Sequence, residues 1–106
     1  MANCKDDFLE ETKDKNVLCA EIVYRRYYWD DDRKKEAVLP IGYSDAELQI
    51  FLSAINYEYN SGYGSQEVSG TIWYTDGTWS ERCEYDGSEW WEYKSYPQIP
   101  DALKGA

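Results

Sequence analysis

The chain has 106 residues, 42% of them hydrophobic and 17% aromatic, with a formal net charge of −10 at pH 7. Its length suits one domain with a single core, its aromatic content excludes a solvated acidic tail, and the sign of its charge argues against direct nucleic-acid binding, which needs a basic footprint. No histidine is present, which removes the commonest metal ligand and the side chain most used for proton transfer near neutral pH.

Residues 1–15 are densely charged around Phe8 and Leu9 and predict a short helix or an ordered arm. The start has no apolar stretch of signal-peptide length and no later run approaches a membrane span, so the expectation is a soluble, cytoplasmic protein. From Asn16 to Trp29 apolar and polar residues alternate, Leu18, Ala20, Ile22 and Tyr24 falling on one side, as in a half-buried strand. A polar loop, Asp30-Asp31-Asp32-Arg33-Lys34-Lys35, leads to a returning strand from Glu36 to Ile41; Pro40 cannot donate to a ladder, which places this strand at an edge or ends it there. Ser44 followed by Glu47 is a capping box, and behind it Leu48, Phe51, Leu52, Ile55 and Tyr59 recur at helical spacing, closed by the glycines of residues 60–65.

Asp76-Gly77 and Asp86-Gly87 each sit between strand-forming runs, the signature of tight hairpin turns. Two-residue loops at both would put Val68, Ile72, Tyr74, Trp79, Cys83 and Trp90 on a core face and Thr71, Trp73, Ser80, Arg82, Glu84, Glu89, Trp91 and Tyr93 on a wet one. That register sets Glu81 against Glu92 on the core side, a conflict that a different turn length would remove by exchanging the faces. The expected architecture is an α+β domain over residues 16–94, in the order ββαβββ, followed by an extended tail at 95–106.

Between Glu36 and Tyr93 lie eleven carboxylates and one cation, Arg82. A field so one-signed steers encounters with basic partners. The three cysteines, Cys4, Cys19 and Cys83, form neither a disulfide framework nor a metal-ligand pattern, Asp30–Asp32 lack the spacing of a calcium loop, and no phosphate-cradling or nucleophile motif is present. The pairs Glu81 with Glu92 and Glu84 with Glu89 are the one device of glycosidase type, and chance pairs are expected among twenty-one acids. The reading is therefore a non-enzymatic protein without cofactor or metal. Its candidate contact residues are Asp76, Glu84, Asp86 and Glu89 facing basic side chains, with Trp73, Tyr85, Trp91 and Tyr93 packing against the aliphatic stems.

The segment from Thr75 through Glu84-Tyr85-Asp86-Gly87-Ser88-Glu89-Trp90-Trp91 to Pro100 resembles the tail of small proteins encoded by tailed phages and prophages. The size and acidity of the chain are also similar to those of phage anti-restriction and anti-CRISPR inhibitors, several of which imitate nucleic acid. The resemblance implies an accessory inhibitor acting in the bacterial host, its partner the basic site of a nucleic-acid-handling complex. Two alternatives share the composition: an immunity protein that plugs a toxin nuclease, and a carbohydrate-binding module using the aromatic row.

Overall fold

The structure, a computed structural model, describes residues 2–25, 34–59, 66–97, 100–103 and 105. The expected loop at 30–33, the end of the first strand at 26–29 and the glycine-containing stretch 60–65 lie outside the described residues. Along the chain run β1 (Ala2–Asn3), α1 (Cys4–Thr12), β2 (Val17–Tyr24), β3 (Lys35–Leu39), α2 (Asp45–Ala54), β4 (Glu58–Tyr59), β5 (Val68–Tyr74), β6 (Trp79–Tyr85) and β7 (Ser88–Lys94). No helix among the described residues is long and apolar enough to cross a membrane.

Alternation produces the sheet: five antiparallel strands in the order β3-β2-β5-β6-β7, an α+β fold. Ala20 and Ile22 of β2, Ala37 and Leu39 of β3, and Val68, Ile72 and Tyr74 of β5 all point to one face and are buried. Both helices cover that face. α1 contributes Cys4 and Phe8, α2 contributes Phe51 and Leu52, and the rings of Phe8 and Phe51 meet edge to face at 5.2 Å. Leu18 is an extra residue between the pairs Val17–Tyr74 and Cys19–Trp73, a bulge that re-aims the start of β2. β3 is an edge strand and stops at Leu39, directly before Pro40. Gly70 has φ +148°, and a Cβ there would lie 2.2 Å from the Glu21 carbonyl oxygen, so β2 and β5 approach at a point open only to glycine.

α1 takes the helical alternative expected for the first fifteen residues; Asn3 caps it, its side chain accepting from the Asp6 amide. The capping box at α2 is present with both reciprocal bonds. The helix is shorter than its apolar stripe suggests. Ile55 leaves helical geometry at ψ 7°, and Tyr59 is buried from β4, which pairs with β1 through Ala2–Tyr59 and Asn3–Glu58. The segment after α2 is pulled into a long-range pairing, the Cys4 amide donating to the Tyr57 carbonyl at 3.0 Å, and this ends the helix before the glycines are reached. Nor is the tail wholly extended: Tyr96 packs on Trp79 at 5.1 Å and Asp101–Leu103 form a 3₁₀ turn.

The two Asp-Gly turns differ. Asp86 and Gly87 have φ 51° and 86°, the two positive values of a two-residue turn, and β6 and β7 pair with Cys83 opposite Trp90 as expected. At the other turn only Gly77 is positive, at 88°. The Gly77 amide donates to the Tyr74 carbonyl and the Tyr74 amide to the Thr78 carbonyl, a three-residue loop closed by a glycine bulge. The register moves by one residue, so Trp73 pairs with Trp79 and Ile72 with Ser80. Every side chain of β6 and β7 therefore changes sides relative to the expectation. Ser80, Arg82, Glu84, Glu89, Trp91 and Tyr93 lie on the helix-covered side, while Trp79, Glu81, Cys83, Trp90 and Glu92 lie on the open side. The Glu81–Glu92 conflict disappears from the core.

Candidate functional site: the open face of the sheet

No helix or strand among the described residues covers the second face of the five-stranded sheet. Register alone arranges it in rows. Glu21 pairs with Thr71, Thr71 with Glu81, and Glu81 with Glu92, which gives one transverse row carrying three carboxylates over four adjacent strands. Beside it runs a second row, Cys19, Trp73, Trp79 and Lys94. Trp90, opposite Cys83, lies on the far side of the acidic row. Trp73 and Trp90 keep 41% and 42% of their surface exposed, a large apolar area to leave in water unless something covers it.

Local bonds hold the carboxylates in place. The Trp79 indole N–H donates to Glu81 Oε1 at 2.7 Å, Lys94 Nζ lies 3.6 Å from Glu81 Oε2, and the Cys83 thiol donates to Glu92 Oε2 at 3.0 Å. The acceptor at Glu92 is also what holds the Cys83 thiol above its usual pKa, with burial adding to it. These contacts offset part of the repulsion between directly opposed like charges. Thr71, Trp73, Gly77, Trp79, Glu81 and Tyr96 also line a shallow depression of about 340 Å³.

The eight residues singled out from the sequence are not brought together. Trp73 and Tyr85 stand on the open face, Tyr85 at 76% exposure near the tip of the β6–β7 hairpin. Asp76 and Asp86 occupy turns at opposite ends of β6. Asp76 is engaged within its own turn, accepting from the hydroxyl and the amide of Thr78, and these bonds hold its carboxyl below the usual range. Glu84 is exposed, but on the helix-covered side of the sheet. Tyr93 sits beneath the ammonium of Lys15 at 4.8 Å and beside Tyr74 at 5.8 Å.

Glu89 and Trp91 are corrected most. Glu89 is withdrawn from solvent and its oxygens are taken: Oε1 accepts from Arg82 Nη2 at 2.6 Å and from the Val68 amide at 3.0 Å, and Oε2 from the Glu67 amide at 2.8 Å. Arg82 also donates to the Tyr59 hydroxyl at 3.2 Å, which in turn donates to Asp7, and its guanidinium lies 5.3 Å from the ring centres of both Tyr59 and Trp91. Glu89 is thus the internal counter-ion of the one cation in the acidic stretch, and Trp91 is a lid on that pair.

Glu21, Glu81, Glu92, Trp79 and Trp90 were not among the contact residues read from the sequence. A three-residue loop at Asp76-Gly77, read from the outset, would have placed the last four on the open side. Among the described residues no cluster of histidine, cysteine and carboxylate side chains is placed to hold a metal ion. Compared with protein-family models, curated proteins and solved structures, the chain finds no match.

Proposed function

We propose that this protein is a non-enzymatic inhibitor, of phage or prophage origin, that lays the open face of its sheet in the basic nucleic-acid site of a host defence complex of restriction or CRISPR type. The single observation that carries the reading is the row of Glu21, Glu81 and Glu92 bordered by Trp73, Trp79 and Trp90. Adjacent strands are about 4.8 Å apart, so Glu81 and Glu92 are neighbours and Glu21 lies about 10 Å from Glu81. One strand of B-DNA carries a phosphate every 3.4 Å or so along the axis. The acidic row is sparser than that. Charge therefore accounts for steering and register, and the indoles, desolvated against aliphatic stems of lysine and arginine, account for residence.

The test is binding of labelled duplex to purified restriction and CRISPR effector complexes with and without the protein. Stoichiometric competition that weakens steeply with added salt is the expected outcome, because exposed charges are screened beyond about 8 Å at physiological ionic strength. Glu21→Lys combined with Glu92→Lys should abolish it. Competition that ignores both salt and charge reversal would sink the reading.

A second reading has its own observation. The depression between Trp73, Trp79 and Tyr96 with Glu81 at its edge has the aromatic walls and polar rim of a sugar subsite. Quenching of Trp fluorescence by neutral oligosaccharides, unaffected by salt, would favour it over the first.

A further inference from the structure

β7 is an end strand of the five-stranded sheet, and among the described residues no strand pairs with its outer edge. The two-residue turn at Asp86-Gly87 decides which backbone groups lie there. It closes on the pair Tyr85–Ser88, so hydrogen-bonded pairs recur at Cys83–Trp90 and Glu81–Glu92. The amides and carbonyls of Glu89, Trp91 and Tyr93 therefore point away from β6, a row of donors and acceptors with no partner strand.

Sheets ordinarily blunt such an edge with proline, a bulge or charge along it. The opposite edge is blunted in this way: β3 is five residues long, stops before Pro40 and carries exposed Lys35 and Glu36. β7 runs for seven residues without proline, its register with β6 is unbroken, and Glu89 is turned inward onto Arg82. Its remaining charges, Glu92 and Lys94, project from the open face, and Lys94 already lies 3.6 Å from Glu81.

Charge selects what can pair there. The transverse row of Glu21, Thr71, Glu81 and Glu92 ends at β7, so the next place in it belongs to the added strand. One Glu92 oxygen accepts from the Cys83 thiol, and the other accepts from no described residue. A residue opposite Glu92 sits in a non-hydrogen-bonded pair, with Cα atoms about 4.5 Å apart, where opposite charges attract and like charges repel. In the antiparallel register that pairs the whole strand, a second copy would set its own Glu92 diagonal to this one, between chains of net charge −10 each. A basic segment meets no such repulsion. Two residues along the same face Trp90, 42% exposed, offers an apolar wall. We infer that the outer edge of β7 is a docking site for an extended, basic segment of the protein partner, added as an antiparallel strand with lysine or arginine opposite Glu92 and an aliphatic residue opposite Trp90. The identity of that partner rests on the proposed function.

The probe is the heptapeptide acetyl-Thr-Thr-Lys-Thr-Val-Thr-Thr-amide, whose lysine and valine fall opposite Glu92 and Trp90 in that register. It is titrated into the whole protein up to roughly ten millimolar while backbone amides are followed by NMR. The expected result is a saturable shift and slowed hydrogen exchange at the amides of Trp91 and Tyr93. Glutamate in place of the peptide lysine should weaken binding by about fivefold or more, and Glu92→Lys should reverse that preference. N-methylation separates strand pairing from mere attraction of charge. On the threonine facing Trp91 the methyl blocks the shared edge and should abolish the response; on the lysine it points away from β7 and should leave the response intact. No change at Trp91 and Tyr93, equal response to the two methylated peptides, or preference for the glutamate peptide overturns the docking strand. So does concentration-dependent protection of those amides in the protein alone, which would give the edge to a second copy. Competition with duplex that is kept while the peptide leaves β7 unshifted overturns the edge alone, and peptide pairing without competition overturns the proposed function alone.

Discussion

Arg82 and Glu89 face each other at 2.6 Å with side chains 1% and 0% exposed, and the carboxylate also closes the backbone amides of Glu67 and Val68. One ion pair thereby ties the terminal hairpin to the entry of β5. Removing one partner of such a pair leaves an uncompensated charge in the interior. Glu89→Ala should cost about 3–5 kcal/mol, measured by urea denaturation. Arg82→Met with Glu89→Leu should cost distinctly less than the single change.

Alkaline conditions should loosen the same region. Burial pushes Tyr74 up to about 12 and raises Tyr57 and Tyr59 as well, from an ordinary value of 10. Below pH 10 both folded and unfolded chains hold these protons. Above it the unfolded chain releases them first, so the unfolded state binds fewer protons and stability falls as pH rises. Thermal melts between pH 9 and pH 12 should show Tm decreasing across that window, and Tyr74→Phe should flatten the decrease.

Gly70→Ala is expected to be among the most damaging single changes in the sheet. The added methyl meets the Glu21 carbonyl at 2.2 Å, so β2 and β5 must separate where both are central. A loss of roughly 2–4 kcal/mol follows from overpacking together with backbone strain. Gly42→Ala, also at positive φ (80°) but with open space around it, should cost about 1–2 kcal/mol. Guanidinium denaturation of the two variants, side by side, checks the ordering.

Stability and binding should separate on the open face. Trp73→Ala removes a ring that is 41% exposed and should change folding stability by about 1 kcal/mol or less. Its effect on partner affinity should reach about 2 kcal/mol or more, the size associated with a buried aromatic anchor. Calorimetric melts read the first quantity, and titration against the effector complex that the protein inhibits reads the second. Equal losses in both would assign Trp73 to the scaffold.

What could be read along the chain depended on how local the determinant was. The capping box of α2, the alternation of β2, the edge position of β3 and the tight turn at Asp86-Gly87 each rest on residues within a few positions of one another. The faces of β6 and β7 did not. Asp-Gly serves a two-residue loop in which both residues take positive φ, and equally a three-residue loop in which only the glycine does. At Asp76-Gly77 the side chain of Asp76 bonds Thr78 and the longer loop wins. One residue of difference then sent Arg82 and Glu89 inward. The fate of Glu89 was hidden for the same reason, because a carboxylate beside two tryptophans reads as surface until Arg82 is known to share its side of the sheet. The pairing of β1 with β4 joins segments too short and too distant to leave any periodic trace.

The order of strands in the sheet governs how quickly the molecule can assemble. β2 lies between β3, which follows it closely, and β5, which it meets through pairs such as Ala20–Ile72 and Tyr24–Val68. The chain from β3 through α2 must close into a loop before the middle of the sheet exists, and topologies dominated by such distant pairings fold in about milliseconds to seconds rather than microseconds. The β6–β7 hairpin has no such delay. Stopped-flow refolding should show indole signals from Trp90 and Trp91 moving ahead of burial at Ile22 and Ile72, and during that interval the bare strand β5 is the segment most open to pairing with another copy of the chain.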